Sequence, residues 1–352
     1  MSGYVDVVTD ALQRMDDLGY ERGEHHFANH GPMAAEALAV LGFGAEVPDW
    51  VGAYRRRMDH HPPPAPRFAL DAGDEASWRP ALGAFDRAGD WELLFRRQLD
   101  TQPWRAVLAA WWPRLLPGLF ARLTHGLIRT AHAVRGVAGA ADPNPVQLGE
   151  LARGLAFWAA GYTALPGTAR LTGSASVAAA VAALPRSDGD APHPATLDSH
   201  AGYAAGLGAL AAADPDGLLS DMTATFAGVY LAHPEAAPVP LVHGVTAPAA
   251  IRLVLPYLPD ELRLPTVAAM WQSHLAMLLT FTDAAAGEDD VTGRAADIDA
   301  PPVAELIGRA LDHGDEHVIK FTEAALREHA LRPDARYLPA ILAAQQRIPR
   351  PG

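Results

Sequence analysis

The spacing of apolar residues along the chain is helical nearly everywhere. In residues 32–41, for example, Met33, Ala37, Val40 and Leu41 fall on one side of a helix. The same spacing predicts helices over residues 104–135, 148–164, 177–184, 203–212, 218–231, 248–258, 264–279, 303–311, 315–329 and 337–346. Proline has no N–H to donate and clashes with the preceding turn, so Pro113 and Pro117 predict a break within residues 104–135.

Strand signals are weak, because alternating β-branched runs bounded by tight-turn pairs are missing. The best exception, residues 239–242, is short and contains Pro240. No segment has the length and composition of an interdomain linker. The pattern therefore predicts an all-α fold, arranged as a single large multi-helix domain over residues 1–352.

Composition and charge narrow the class of protein. With 352 residues, of which 49% are hydrophobic and 20% charged, the chain can bury a full core. A formal charge of -13 argues against nucleic acids and anionic membranes as partners. The absence of cysteine excludes disulfides, thiolate metal sites and cysteine nucleophiles. No signal peptide is visible, and the longest apolar runs are too short for a bilayer. We expect a soluble, cytoplasmic protein, and the sequence leaves its oligomeric state open.

Several of the 15 histidines stand at helix ends or beside apolar residues. His30 follows Asn29 and precedes a proline, which are features of a helix start. His125 is flanked by apolar residues on a predicted buried helix, and His132 lies two turns further along the same face. His243 ends an apolar run and precedes another predicted helix. Each of these residues alone is most simply a core histidine that hydrogen-bonds to the backbone.

The basic residues are unusual, because all but one of the 28 are arginine. The single lysine, Lys320, stands three residues after His317, which places both side chains on one helical face. Asp315 and Glu316 precede this pair. Their carboxylates either orient the helix that carries His317 or simply favour its first turn.

Taken together, the histidines suggest a polyhistidine metal site. Neutral imidazole is the commonest protein metal ligand, and it suits zinc, copper, iron and nickel. The signatures of other enzyme classes are absent from the sequence: HExxH, ExxH, the P-loop and GxSxG. The glycines at 206 and 208 follow no predicted strand, so no nucleotide-binding motif is present.

Four short segments carry a resemblance to a known family. They are residues 29–30 (NH), 125–128 (HGLI), 243–246 (HGVT) and 317–320 (HVIK). Their identity and order resemble the questin oxidase-like family. The segments run from residue 29 to residue 320, so the resemblance covers most of the chain. The family contains fungal and bacterial oxygenases, some described as Baeyer–Villiger oxidases, that open rings of anthraquinones and related aromatic polyketides.

The resemblance implies a mononuclear non-haem iron(II) site. Carried over by motif, its ligands are His30, His125, His243 and His317, with Lys320 as a carboxylated lysine. A protonated lysine repels a cation and has no lone pair to offer. A neutral amine captures carbon dioxide as an anionic carbamate, which supplies an oxygen ligand that no Asp or Glu of these segments provides. A sixth coordination position stays open for dioxygen or substrate.

Two further histidines are candidate catalytic residues beside Lys320. His132 matches no ligand position, and is expected either to support the ligands or to contact substrate. His274 is a second candidate pocket residue. For both, ordinary packing of a helical histidine is the alternative.

The resemblance also implies the reaction. The protein is expected to be an oxygen-dependent oxidoreductase that cleaves, or inserts oxygen into, a carbon–carbon bond of a polycyclic aromatic polyketide. Arg129 and Arg135 are candidates to steady an anionic substrate oxygen. Candidate walls of an apolar pocket are Trp111, Trp112, Phe120, Phe157, Trp158 and Trp271.

Two alternatives stay open. The first alternative to the iron oxygenase is a non-catalytic protein that binds or scaffolds a polyketide. The second is an NADPH-dependent Baeyer–Villiger monooxygenase without a metal. The missing nucleotide motif weighs against the second alternative. The sequence does not decide between mono- and dioxygenase chemistry.

Overall fold

The computed structural model describes residues 2–186, 193–283, 287–288 and 290–351. Within these residues the chain is helical apart from loops and one small hairpin, which pairs β1 (Glu21–Arg22) with β2 (Phe27–Ala28) in antiparallel register. The predicted all-α, multi-helix fold is confirmed. The helices form two compact units: residues 2–163 with Pro256–Leu258, and Ala164–Leu255 with Pro259–Arg350. The prediction of one domain over residues 1–352 stays a prediction.

The first unit contains α1 (Ser2–Arg14), α2 (Gly31–Val40), α3 (Val47–Arg57), α4 (Glu75–Trp78), α5 (Ala88–Thr101), α6 (Trp104–Leu115), α7 (His125–Ala138) and α8 (Pro145–Ala160). The second contains α9 (Val177–Ala182), α10 (Ala201–Gly206), α11 (Pro215–Ala232), α12 (Pro238–Val254), α13 (Asp260–Phe281), α14 (Val291–Ala296), α15 (Val303–His313), α16 (Glu316–Leu331) and α17 (Tyr337–Arg347). Short 3-10 turns occupy Arg79–Ala81, Phe85–Arg87, Leu116–Gly118, Pro194–Ser199 and Leu255–Tyr257.

The core of the first unit is the contact of α7 with α8, to which α2 and α5 add. Two glycines allow the close approach of α7 and α8. A Cβ atom on Gly126 would lie 2.5 Å from Cα of Trp158, and one on Gly154 would lie 2.9 Å from Cα of Thr130. The glycine that follows His125 in the HGLI segment therefore has a packing role.

The second unit is built around α12, which packs against α11, α13 and α16. A glycine again allows two helices to approach closely, because a Cβ atom on Gly244 would overlap the ring of Phe226 on α11. The glycine of the HGVT segment thus brings the backbone of α12 close to α11.

Helix α12 differs from the sequence-based prediction. The strand-like residues 239–242 and most of the separate helix predicted over 248–258 belong to one continuous helix, Pro238–Val254. Pro240 is tolerated because it lies in the first turn, where the N–H groups have no intrahelical partner. With its 3-10 extension, Pro238–Tyr257 is 20 residues long and apolar enough to cross a membrane, so the expectation that every apolar run is too short is wrong. Because 72% of its 18-residue apolar window is buried inside the fold, it also has the character of a core helix.

The predicted break between α6 and α7 is confirmed. Helix α6 passes through Pro113 and ends at Leu115, and the 3-10 turn that contains Pro117 follows. Helix α7 begins only at His125. His125 therefore lies on the predicted buried helix, but at its first position, where its side chain is partly exposed.

Candidate metal centre

His30 is held by a buried hydrogen-bond network at the start of α2. Its backbone N–H donates to the hydroxyl of Tyr54 (2.8 Å), which in turn donates to Oδ1 of Asn29 (3.0 Å). The amide of Asn29 is anchored on the carbonyl of Gly19 (2.8 Å), and its Oδ1 also accepts from the N–H of Gly31 (3.0 Å). The predicted helix start at Asn29 and His30 is confirmed, and Asn29 fixes the backbone on both sides of His30.

His125 follows a turn with unusual backbone geometry. Residues 122–124 have φ angles of 49°, 53° and 65°, all in the left-handed region that side chains other than glycine rarely adopt. This turn directs the carbonyl of Arg122 at Nδ1 of His125, which donates to it. The Arg122 guanidinium is paired with Glu21 (2.5 Å) and lies 4.0 Å from the ring centroid of Phe85. Because Nδ1 carries the proton, the lone pair of neutral His125 is on Nε2, the form that binds a metal.

The rings of His30 and His125 meet in the first unit. Their Nε2 atoms are 2.7 Å apart and their ring centroids 4.6 Å apart. Two imidazole nitrogens bound to one ion at about 2.1 Å, at right angles, are separated by about 3 Å. The pair is therefore close to the arrangement that a single ion needs.

A second group of buried side chains, an ion cluster, joins α2 to α7 and does not include His30 or His125. The carboxylate of Glu36 accepts from Nδ1 of His132 (2.7 Å), from Nε of Arg135 (2.7 Å) and from the hydroxyl of Tyr4. Burial by itself raises the pKa of Glu36, but Arg135 and His132 outweigh it and lower the pKa to about 2. The adjacent cavity of about 10 Å³ has room for roughly one water molecule. The structure thus gives His132 a partner that fixes two helices, and its part in catalysis stays a prediction.

The second unit brings His243 and His317 together. His243 is buried on α12, and His317 lies in the first turn of α16. Their ring centroids are 6.4 Å apart. Two imidazoles that bind one ion have centroids between about 4.5 Å apart, at right angles, and about 6.4 Å apart, on opposite sides. Both histidine pairs fall within this range. The expectation that His243 precedes a helix is wrong, because it lies inside α12.

Asp315 caps α16 and contacts the ring of His317. Its Oδ1 accepts from the N–H groups of His317 (2.8 Å) and Val318 (3.3 Å), and lies 3.2 Å from Nδ1 of His317. Burial alone raises the pKa of Asp315, but the hydrogen bond and charge of His317 outweigh it and lower the pKa. The contact fixes the Nδ1–H form of His317, as the Arg122 carbonyl does for His125.

Lys320 lies one turn beyond His317 on α16 and is only 3% exposed. The predicted shared helix with His317 is confirmed. Beside it, Asp315, Glu316 and His317 each place a ligand atom within 4.8 Å of the others. Sequence reasoning gave the buried carboxylate of Glu316 no ligand role, and the structure adds it to the groups beside His317.

His274 has the environment of a core histidine. Its Nε2 donates to the carbonyl of Gly244 (2.9 Å), and its ring stacks on Phe226 at 3.5 Å. Burial lowers the pKa of His274 to about 3, so its ring is neutral at physiological pH. The structure places His274 on α13, in contact with α11 and α12, and its catalytic role stays a prediction.

The aromatic residues proposed as pocket walls lie in the packed interior of their own units. All six are buried: Trp111, Trp112, Phe120, Phe157, Trp158 and Trp271. Three of the indole N–H groups donate to neighbouring oxygens, on Gln98, Gly118 and Gly206. Arg129 and Arg135 are likewise engaged, in ion pairs with Glu150 (2.7 Å) and Glu36. These contacts favour structural roles for this set.

The first unit has an open cleft beside the β-hairpin, with a volume of about 570 Å³. Phe27 and Met58 contribute apolar surface to it, and His60 lines it as well. The His60 ring packs against Tyr54, with centroids 5.3 Å apart, and Tyr54 accepts the hydrogen bond from His30. The volume is in the range of small-molecule sites.

No protein-family model matches the chain, and no curated protein is significantly similar to it. The resemblance to the questin oxidase-like family therefore rests on the four histidine segments, and the geometry described above is an independent observation on the same residues.

Proposed function

We propose that the protein is a non-haem iron-dependent oxygenase that cleaves, or inserts oxygen into, a carbon–carbon bond of a polycyclic aromatic polyketide. The proposed iron ligands are His30, His125, His243, His317 and carboxylated Lys320. One observation carries the proposal: each unit holds a pair of histidine rings at a separation that one ion allows, and one ring of each pair has Nδ1 fixed by an acceptor.

The fixed Nδ1 atoms are the stronger part of this observation. A metal-binding histidine is usually held by an acceptor on its second ring nitrogen, which leaves the lone pair of the first nitrogen for the metal. His125 and His317 both show this arrangement, with a carbonyl and a carboxylate as acceptors. When bound, iron(II) would supply the one-electron chemistry with dioxygen that side chains alone lack.

The burial of Lys320 supports its role as a carbamate. Removal from water disfavours the charged form of an amine relative to the neutral form. The neutral amine reacts with carbon dioxide to give a carbamate and a proton, which replaces a buried cation by an anion. That anion suits a neighbouring metal ion better than an ammonium group does.

The substrate class rests on the family resemblance and on the cleft of the first unit. The cleft has the volume of a small-molecule site and contains exposed apolar surface, including Phe27, which is 51% exposed. A planar aromatic molecule fits such a surface.

The electron balance separates two versions of the reaction. Insertion of both oxygen atoms needs no external reductant. Insertion of one atom, with release of the other as water, needs two electrons and two protons from a reductant such as NADPH. Oxygen uptake with a hydroxylated anthraquinone, measured with and without NADPH, distinguishes the two versions.

Elemental mass spectrometry of the purified protein tests the metal centre. We expect one iron per chain in the wild type and none in either His125→Ala or His317→Ala. Loss of all iron in both variants would show that the two pairs bind the same ion. His25→Ala, which removes an exposed histidine, is the control and should keep its iron. A wild-type protein that takes up no iron(II) under anaerobic conditions would overturn the proposal and favour a polyketide-binding protein.

A further inference from the structure

We infer that Asp315 is a positioning residue for His317, and that its charge makes His317 a stronger metal ligand than His125. The inference rests on the proposed metal centre. It goes beyond that proposal because it assigns different ligand strengths to two histidines between which the four segments make no distinction. It follows from the different acceptors that hold the two rings.

The contact between Asp315 and His317 is local and well defined. A single carboxylate oxygen, Oδ1, receives the backbone N–H of His317 at 2.8 Å and lies 3.2 Å from Nδ1 of the same residue. The backbone hydrogen bond fixes the carboxylate at the start of α16, so its position relative to the ring is set by the helix itself. The Nδ1–H of His125 donates instead to a neutral acceptor, the carbonyl of Arg122.

The charge of Asp315 is more than a helix cap requires. An uncharged Ser or Asn caps a helix about as well as Asp, and burial of a carboxylate is unfavourable unless it is compensated. The Asp315 side chain is 14% exposed. Asp214 caps α11 through the N–H of Gly217 (2.9 Å) and is exposed, so it shows the same capping chemistry without a histidine.

The physical consequence is a more electron-rich ring. A carboxylate that accepts the Nδ1 proton increases electron density on Nε2 and raises the basicity of the ligand. Such a ligand binds a divalent cation more tightly. It also favours the ferric over the ferrous state, and therefore lowers the reduction potential of a bound iron.

Cobalt(II) binding to the full-length protein tests the inference without any need for activity. The affinity is measured for the wild type, Asp315→Asn, Asp315→Ser and the control Asp214→Asn, with thermal unfolding as a check on folding. Asn and Ser keep an oxygen for the helix cap and remove the charge. We expect the Asp315 variants to bind cobalt(II) roughly 10- to 100-fold more weakly, and Asp214→Asn to bind as the wild type does.

The outcomes separate this inference from the proposed function. If the wild type binds cobalt(II) and both Asp315 variants bind it equally well, the inference is overturned and the metal centre stands. If the wild type binds no metal, the proposed function fails, and the role of Asp315 fails with it. A second measurement is the iron(III)/iron(II) midpoint potential of the iron-loaded protein. We expect a higher potential in Asp315→Asn than in the wild type, and loss of a helix cap alone would not produce this change.

Discussion

The Nε2 atoms of His30 and His125 lie 2.7 Å apart, although 95 positions separate the residues in the chain. Two lone pairs cannot face each other at this distance, so in a direct hydrogen bond between the two rings one nitrogen must carry a proton. Nδ1 of His125 already donates to the carbonyl of Arg122, which leaves Nε2 of neutral His125 as the acceptor. His30 is therefore the donor, in its Nε2–H form.

Metal binding should change the tautomer of His30. The diamagnetic ion zinc(II) needs the lone pairs of both Nε2 atoms, so the His30 proton must move to Nδ1. Imidazole ¹⁵N chemical shifts of histidine-labelled protein report this change, with His30→Gln for assignment. His274 is the internal control, because its Nε2 proton is committed to the carbonyl of Gly244. An Nε2–H signal of His30 that persists at saturating zinc would contradict the shared site.

Replacement of Lys320 should abolish turnover without loss of the fold. Lys320→Met keeps the length and apolar stem of the side chain but cannot form a carbamate, and Lys320→Ala removes the stem as well. We expect both variants to lose oxygen uptake with substrate while their helical circular dichroism stays intact. Full activity in either variant would rule out the carbamate.

Gly126 and Gly136 lie on the same helix and should respond differently to alanine. A Cβ atom at 126 would lie 2.5 Å from the backbone of Trp158, so Gly126→Ala must push α7 away from α8. We expect a loss of about 1–3 kcal/mol in the free energy of unfolding. A Cβ atom at 136 meets nothing within 4 Å, so Gly136→Ala should be neutral or stabilise by up to about 1 kcal/mol. Chemical denaturation measures both changes, and equal effects would refute this account of the HGLI segment.

Glu36 should make stability depend on pH below its unfolded pKa. The folded pKa of about 2 is lower than the unfolded value of 4.5, so the carboxylate stabilises the fold above pH 4.5. This contribution, of the order of 3 kcal/mol, is lost as the pH falls from 4.5 towards 2. Glu36→Gln should therefore be destabilised at pH 7, and its difference from the wild type should shrink in that window.

The control for Glu36 is Glu305→Gln, which removes an exposed ion pair with Arg309. Pairs of this kind contribute about 0.5 kcal/mol or less. Denaturant unfolding at several pH values measures both variants. A Glu36→Gln difference that is independent of pH would contradict the assigned cause.

The cleft of the first unit should affect substrate affinity through Phe27. If an aromatic substrate packs on this exposed ring, Phe27→Ala raises KM several-fold and leaves kcat nearly unchanged, because Phe27 is a wall of the cleft and not one of the proposed metal ligands. Phe68→Ala is the matched control, since Phe68 is 64% exposed in the same unit and does not line this cleft. Equal KM values for the two variants would remove the cleft from the substrate pathway.

The sequence predicts local features of the site better than its long-range contacts. Asn29 and the nearby proline predict the helix start at His30, and the spacing of His317 and Lys320 predicts their common helix; both predictions are confirmed. These features depend on residues within one turn of each other. The contact of Glu36 with His132 spans 96 positions, and helical periodicity indicates which face is buried but not which helix covers it.

Two errors have specific physical causes. His243 was expected to precede a helix predicted over residues 248–258, but α12 begins at Pro238, because Pro240 in its first turn removes no hydrogen bond. The turn before His125 carries none of the usual signals, since Arg122, Leu123 and Thr124 adopt left-handed torsions without glycine or asparagine. Tertiary contacts impose this geometry, and no local pattern reveals it.

The left-handed turn at residues 122–124 also has a thermodynamic consequence. Three side-chain-bearing residues in this conformation cost roughly 3–6 kcal/mol, which the rest of the fold must offset. In return, the imidazole of His125 loses its conformational entropy during folding rather than when a ligand arrives, so binding is preorganised. A glycine at Leu123 would relax the turn and release that order. The turn thus lowers the stability of the fold and raises the affinity of His125 for its ligand.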